Sequence, residues 1–442
     1  MKGFPSWGRY PTAEPATVLP LSWRHEPIDF AGDRQFLPYG LGRSYGDSCL
    51  NSNGVLLTTR GIRRIVSFDA NTGLLRCEAG MSLAEISEFA LPRGWFLPVS
   101  PGTKFVTVGG AIANDVHGKN HHGSGTWGCH VRGFELLRSN SERLWCSEQT
   151  ERDLFRATIG GLGLTGIILV AEIQLKAVAN ALIDMESVKF RNLDEFFQIS
   201  AESDGTFEYT VAWLDCVANG TEFGRGIFMR GNHATAEKAR SSGVSERHRS
   251  LPLMVPIDAP NFALNNYTVR AFNWAYFNKQ RERLLRTVVH YHPFFYPLDA
   301  VSGWNKIYGR RGFLQFQCVV PSENDNRAIR QILKRVVDSG RASFLAVLKE
   351  FGEKESPGLL SFPRKGVTLC LDFANEGPST IALFRELDTM VRERGGAIYP
   401  AKDACMAPES FRQYYPQLAE YRRFIDPKFS SSFWRRVTAI EK

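Results

Sequence analysis

Two stretches of strict alternation mark the second half of the chain. In FLQFQCVV, residues 313–320, Gln315, Gln317 and Val319 fall on one side and Leu314, Phe316 and Cys318 on the other. In VTLCLDF, residues 367–373, Thr368, Cys370 and Asp372 oppose Val367, Leu369, Leu371 and Phe373. A period of two predicts β-strands with one polar and one apolar face. A half-exposed sheet produces the same alternation as a sheet whose polar face lines a site.

The first half reads differently. Between residues 35 and 57 the pattern is strand, glycine loop, strand: FLPYG runs into GLGRSYGD, and GVLLTT follows. Residues 65–68 and 74–78 predict a hairpin around Asn71-Thr72-Gly73. Ser82 with Glu85 three positions on predicts a capping-box helix start over 82–91. Residues 98–128 show little regular pattern and are rich in Gly, His, Asn and Thr; loops of that length are functional or disordered, and this one is too apolar for disorder. Residues 147–158 predict a helix, and IGGLGLTGIILVAEIQL a glycine turn followed by a strand.

After Lys176 strands and helices alternate without comparable glycine loops, which places a domain boundary near residue 178. The expected organisation is α+β: residues 1–178, then a second domain over 179–395 built on an antiparallel sheet, then a tail over 396–442. Residues 239–250 form a polar segment expected to be a mobile loop.

A chain of 442 residues suits two or three domains. The net charge of +8 and pI near 9.0 allow an anionic ligand or lipid headgroup. No nucleic-acid motif is present, so no nucleic-acid partner is expected. The eight cysteines include no C-x-x-C pair, and reduced thiols are expected. The start MKGFPSWGRYPTAEP has no apolar signal core, and no run approaches the ~18–20 apolar residues of a spanning helix. The expectation is a cytoplasmic protein, or one peripheral at a membrane.

Three glycine loops then change the picture: GLGRSYG from Gly40, TVGGAIANDVHG from Thr107 and GGLGLTG from Gly160. Glycine lets a backbone approach a phosphate and adopt positive φ, and successive N–H groups form anion nests. Each loop alone equally fits a tight turn. None has Rossmann spacing running into a helix, and none closes on Gly-Lys-Ser/Thr. The phosphate-binding apparatus is of another type.

LPYGLGRSYGD, SPGTKFVTVGGAIANDVHGKNHH and IGGLGLTGII together resemble the vanillyl-alcohol-oxidase-like FAD-binding domain. GKNHH, YGRRGFLQFQCVVP, LSFPRKGVTLCLDF and AIYPAKDA narrow the resemblance to the flavin subunits of decaprenylphosphoryl-β-D-ribose 2′-epimerases. It covers nearly the whole chain. It implies a two-domain flavoprotein and FAD contacts from Pro38, Tyr39, Gly40, Leu41, Gly42, Arg43, Ser44, Tyr45, Gly46, Asp47 and Ser48. Gly102, then Thr107, Val108, Gly109 and Gly110, then Asn114, Asp115, Val116 and His117, with Ile168 and Tyr399, complete the implied set. Tyr399 would bring the tail back to the first domain. Arg43 stands where covalent relatives carry the linking histidine, so the flavin is expected to be non-covalent.

The resemblance also turns the polar strand faces toward the flavin. It implies Gln315, Gln317, Cys370, Lys119, Trp213 and Lys349 as substrate-binding residues, and Lys402, His117 and Tyr45 as catalytic. Lys402 could act as a cation beside the developing alkoxide or as a base of lowered pKa. Trp213 alone equally fits a core position, and a lone lysine a solvated surface. His117, His121 and His122 lack a carboxylate or thiolate partner, so no metal is expected. One departure stands out: Phe295-Tyr296-Pro297-Leu298-Asp299 replaces the family's YHPLD at the substrate entrance, which implies altered lipid or sugar preference.

The implied reaction is oxidation of the ribose 2′-hydroxyl of a polyprenylphosphoryl ribose. An NAD(P)H-dependent keto-reductase partner would finish epimerisation. An oxidase of soluble alditols or sugar lactones is the alternative, and a flavin-binding scaffold in a membrane complex is a non-enzymatic one.

Overall fold

The computed structural model describes residues 3–246, 253–260, 262–323 and 325–439. Its largest element is an eight-stranded antiparallel sheet. The strands run in the order Leu284–His290, Leu182–Phe190, Gly226–His233, Tyr209–Leu214, Ala346–Phe351, Gly366–Ala374, Phe313–Val320 and Ala397–Ile398. The two alternating strands are neighbours near one edge, and their register is set by which face each side chain must bury. Gln317 stands opposite Cys370 and Gln315 opposite Asp372. On the other side of that strand Val347 meets Cys370 and Lys349 meets Thr368. A slip of one residue would put every polar group into the core.

The apolar face is covered by helices Leu193–Ser203, Arg327–Asp338 and Pro378–Glu393, which share one core cluster with Leu314, Phe316, Leu369 and Leu371. In Arg327–Asp338, Ile329, Ile332, Leu333 and Val336 recur at helical spacing and are buried. Phe384 on the last helix packs edge-on against both Phe316 and Phe373, at 5.9 and 5.8 Å between centroids. Truncating such a side chain costs about 3–5 kcal/mol.

The N-terminal region holds two smaller sheets. Thr17–Pro20, Val55–Thr58 and Phe36–Tyr39 pair in parallel, with Val55–Thr58 central. Ile65–Asp69, Leu74–Glu78, Ile167–Gln174, Val131–Leu137 and Arg143–Ser147 form an antiparallel five-stranded sheet. The expected hairpin is present, with Gly73 at φ +72 where a side chain would be strained. Helix Leu83–Ala90 carries the full capping box between Ser82 and Glu85, worth about 0.5–2 kcal/mol.

Three local expectations are corrected. The helix expected over 147–158 spans only Arg152–Thr158, because Ser147 ends a strand and its hydroxyl accepts from Gln149 and Thr150 in a turn. Within 98–128 the chain forms helices Val108–Ala113 and His121–Ser124. Thr107 caps the former by accepting from Gly110 N, which offsets the low helix propensity of two glycines. The segment 239–250 begins inside helix Ala236–Ser242, and its residues 247–250 lie outside the described residues.

After Ile398 the chain packs against the N-terminal region. Phe429 bridges to Phe36, Arg436 pairs with both Asp47 and Asp403 at 2.8 Å, and Asp426 pairs with Arg138 at 3.2 Å. No helix among the described residues is long and apolar enough to cross a membrane. All eight cysteines are unpaired.

Candidate active site

A cavity of about 650 Å³ lies between the glycine loops and the polar face of the large sheet. One wall is mostly backbone. Pro38, Gly40, Leu41, Gly42, Arg43, Ser44, Tyr45 and Ser48 line it from the first loop, and Gly102, Thr107, Gly109, Gly110, Asn114, Val116 and His117 from the second. Ile168 and Tyr399 complete it, and the Tyr399 hydroxyl donates to Asn114 O at 2.8 Å. Tyr39, Gly46, Asp47, Val108 and Asp115 do not line the cavity. Their work is structural: Tyr39 donates to Pro5 O, Asp47 holds Arg436, and buried Asp115 accepts from Gly128 N, Ser356 and Ser361. Gly46 packs against Asp403 O, and Val108 is fully buried.

The glycine loops are not equivalent. In the second, the N–H groups of Val108, Gly109 and Gly110 are already spent on Met81 O, Ala79 O and Thr107 Oγ1. In the first, among the described residues, no protein acceptor meets the N–H groups of Leu41, Gly42, Arg43 or Ser44. Gly42 is at φ +62. Such consecutive free donors form an anion nest and fit a diphosphate. A Cβ on Gly102 would meet nothing within 4 Å, so this glycine keeps cavity space open for a bulky group. Arg43 lies in the same wall with its guanidinium 4.0 Å from the Trp7 ring centroid, and burial pulls its pKa down.

The opposite wall is made of side chains. Gln315, Gln317, Thr368, Cys370, Val347, Lys349 and Trp213 line it, because strand alternation sends them all to one face. Gln317 Nε2 lies 2.9 Å from His117 Nε2, and Lys349 Nζ lies 3.2 Å from His117 Nδ1. A neutral imidazole has one donor and one acceptor. Lys349 Nζ also donates to Gly118 O at 3.3 Å; as an ammonium it donates to Nδ1 as well, and the ring hydrogen sits on Nε2, facing the Gln317 amide. Burial lowers Lys349 to about 8, which leaves it mostly protonated at neutral pH, and pushes His117 well below its ordinary value. His121 does not join this group; its ring packs at 4.4 Å on Phe351.

Lys402 enters from the turn after Tyr399, its N–H donating to Tyr399 O at 3.0 Å. Its ammonium stands 3.6 Å from the centroid of the Tyr45 ring. Burial lowers its pKa, partly offset by Cys370 and Asp372. Burial raises that of Asp372, against the Gln315 hydrogen bond and Lys402. Lys119 is buried with its ammonium donating to Phe294 O, and burial lowers it to about 7. The cavity therefore concentrates cationic or nearly neutral nitrogen groups and suits an anionic ligand.

The Phe295-to-Asp299 segment does border the cavity, except at Tyr296. That ring is turned inward and buried, its hydroxyl paired with Ser100 Oγ. Trp213 is a cavity-wall residue whose indole N–H donates to Phe344 O at 3.0 Å, so it serves the core as well. Sequence reading put Thr368 on the polar face without naming it as a contact; it missed Val347, which the same alternation could have supplied, and Trp7, Phe105 and Trp304, for which no pattern exists.

Residues 28–147 match the family described as an FAD binding domain. A decaprenylphosphoryl-β-D-ribose oxidase of Mycolicibacterium smegmatis is 38% identical over 92% of this chain and 90% of its own length. The chain belongs to the decaprenylphosphoryl-β-D-ribose oxidase family. An uncharacterized protein of Streptomyces coelicolor is 32% identical over 81% of this chain and all of its own length. A putative D-arabinono-1,4-lactone oxidase of Neurospora crassa is 32% identical over only 33% of this chain and 25% of its own. With family membership, the α+β chain is an FAD-dependent oxidoreductase acting on a CH–OH group.

Proposed function

We propose that the protein oxidises the 2′-hydroxyl of a polyprenylphosphoryl-β-D-ribose to the 2′-keto sugar, the first half of epimerisation to the arabinose lipid. One observation carries this reading. The relative named for that substrate aligns over both walls of the cavity, whereas the lactone-oxidase likeness covers a third of the chain. A separate NAD(P)H-dependent keto-reductase would complete the epimerisation.

Bound FAD supplies the acceptor for the hydride that leaves C2′. The free donors of residues 41–44 would hold its diphosphate, and the space at Gly102 would admit it. Lys402 accepts the hydroxyl proton: its buried amine is biased toward neutrality, and the Tyr45 ring face stabilises the ammonium formed. His117, with both ring nitrogens engaged by Gln317 and Lys349, holds those two side chains at the cavity wall, while Lys119 and Lys349 favour the substrate's anionic group. Cys370, Gln315 and Trp213 shape the remaining wall. The division into residues 1–178, 179–395 and a returning tail over 396–442 is supported by the Phe36–Phe429 bridge and the Arg436–Asp47 pair.

The test is anaerobic mixing of the flavin-loaded protein with a short-chain polyprenylphosphoryl ribose and, separately, with a soluble alditol. Bleaching of the flavin by the first alone is expected. Bleaching by the alditol alone would overturn the substrate reading.

A further inference from the structure

Of eleven exposed large apolar side chains among the described residues, eight lie between Leu253 and Leu285. Leu253, Met254, Ile257, Phe262, Tyr267 and Trp274 are each 60–84% exposed. Scattered apolar side chains need no explanation; a concentration of this kind marks a contact surface. On helix Asn266–Lys279, Val269, Asn273 and Phe277 face the body of the protein, and Asn273 donates to Asp215 Oδ1 at 2.9 Å. That anchoring leaves Tyr267, Ala271, Trp274 and Ala275 on the outer face, and the helix holds no carboxylate.

The charge nearby has one prevailing sign. Residues 253–286 contain Arg270, Lys279, Arg281, Arg283 and Arg286 against Asp258 and Glu282. Asp258 is paired with Arg9 and Arg286 with Glu186, at 2.5 and 2.8 Å. The patch is also continuous with the cavity. Leu253–Met254 pairs in parallel with Val301–Ser302, and both of the latter line the cavity. Tyr276, on the same helix, lines it too and packs 4.6 Å from Trp213.

We infer that the surface of residues 253–260 and 262–286 docks the protein on an anionic lipid bilayer with the cavity mouth facing the membrane. Tryptophan and tyrosine settle at the headgroup level with their rings in the acyl boundary, and lysine and arginine pair with anionic headgroups. An exposed aromatic helix without carboxylates, flanked by basic residues, has that chemistry. The surface deepens the lipid-linked substrate reading, on which it rests: a polyprenyl chain could stay in the bilayer while its sugar enters the cavity.

The test is flotation of the FAD-loaded protein with phosphatidylcholine vesicles and with vesicles that also contain phosphatidylglycerol, with no sugar lipid present. Binding to the anionic vesicles is expected, weakened by salt. Phe262→Ser with Trp274→Ser should reduce it by about tenfold or more, and Arg270→Glu with Lys279→Glu should remove the preference for phosphatidylglycerol. None of these residues lines the cavity, so the flavin spectrum and the oxidation of a detergent-solubilised short-chain substrate should be unchanged. Absence of binding by the unaltered protein, or unchanged binding by the variants, overturns the inference. So does sedimentation showing a dimer that Phe262→Ser with Trp274→Ser dissociates, because the patch would then be an interface between copies. Vesicle binding without oxidation of any sugar lipid would instead refute the substrate reading and leave the docking surface standing.

Discussion

The two walls of the cavity are made of different materials. The glycine-loop wall presents backbone: free N–H groups at residues 41–44 and open space at Gly102. The sheet wall presents side chains on alternate positions of neighbouring strands, joined by Lys402 from the turn after Tyr399. Backbone donors bind a diphosphate regardless of pH and cannot move a proton. Lys349 and Lys402 stand on the other wall, where burial shifts each toward neutrality, and His117 and Lys119 reach toward it from the second glycine loop. On the proposed function the glycine-loop wall binds the cofactor and the sheet wall with Lys402 acts on the substrate, and substitutions should separate along that line.

The largest effect is expected at Lys402. Lys402→Ala should slow flavin reduction by substrate about 10²–10⁴-fold, the range typical of a lost proton acceptor or charge stabiliser. The flavin should remain bound, because its contacts are spread over two loops. Lys402→Arg keeps a charge but no accessible neutral form, so it should not restore the rate. The sign of the pH dependence follows from the lowered pKa. The neutral amine grows as pH rises through that value, so the reduction rate should rise and level off below the ordinary lysine range. Anaerobic stopped-flow across pH reads both. A rate that falls as pH rises would make Lys402 an electrostatic stabiliser and not a base.

The opposite wall should respond in binding. Gly102→Val fills space in which a Cβ meets no protein atom, so the fold should tolerate it while FAD affinity falls about 10–100-fold, or roughly 1.4–2.7 kcal/mol. Titration of apoprotein with FAD reads the affinity, and thermal unfolding of the apoprotein should be unchanged. In the unaltered protein, acid precipitation should release the flavin, because Arg43 cannot form the link a histidine would make. Flavin retained on the pellet would show a covalent bond at another residue.

How much of this was legible in the sequence depended on the kind of signal. The sheet wall was legible because a period of two fixes which side chains share a face; Gln315, Gln317 and Cys370 followed from that alone, though not which face was the site. The glycine loops were legible as phosphate-binding candidates, but composition could not tell the first loop from the second. The difference lies in where the N–H groups of Val108, Gly109 and Gly110 are spent, a tertiary fact. Asp115 and Asp47 looked like contacts by position and serve as buried acceptors that hold loops. Trp7 reaches the cavity from an irregular N-terminal segment that no periodicity describes. The helix over 147–158 was overdrawn because Ser147 favours both a strand end and a turn.

The smallest effect on turnover is expected at Cys370, and it sharpens the comparison most narrowly. The thiol lines the cavity, half-exposed, between Val347 and Gln317 in neighbouring strands. Burial raises its pKa to about 12, so it is almost wholly protonated at neutral pH. It is then a poor nucleophile toward a reagent from solution, since the thiolate is the reacting form. Cys370→Ala should change the reduction rate less than about threefold, because the side chain offers shape and no proton transfer. Confinement changes the outcome for one class of reagent. A nitroaromatic reduced to a nitroso compound by flavin that the alcohol substrate has itself reduced would be generated beside the thiol, and proximity can compensate for the scarce thiolate. Mass spectrometry of the inactivated protein should then place the adduct on Cys370, with Cys77 and Cys146 unmodified in their cores. An adduct at another cysteine, with Cys370 intact and turnover lost, would show that the sheet wall does not face the site of flavin chemistry.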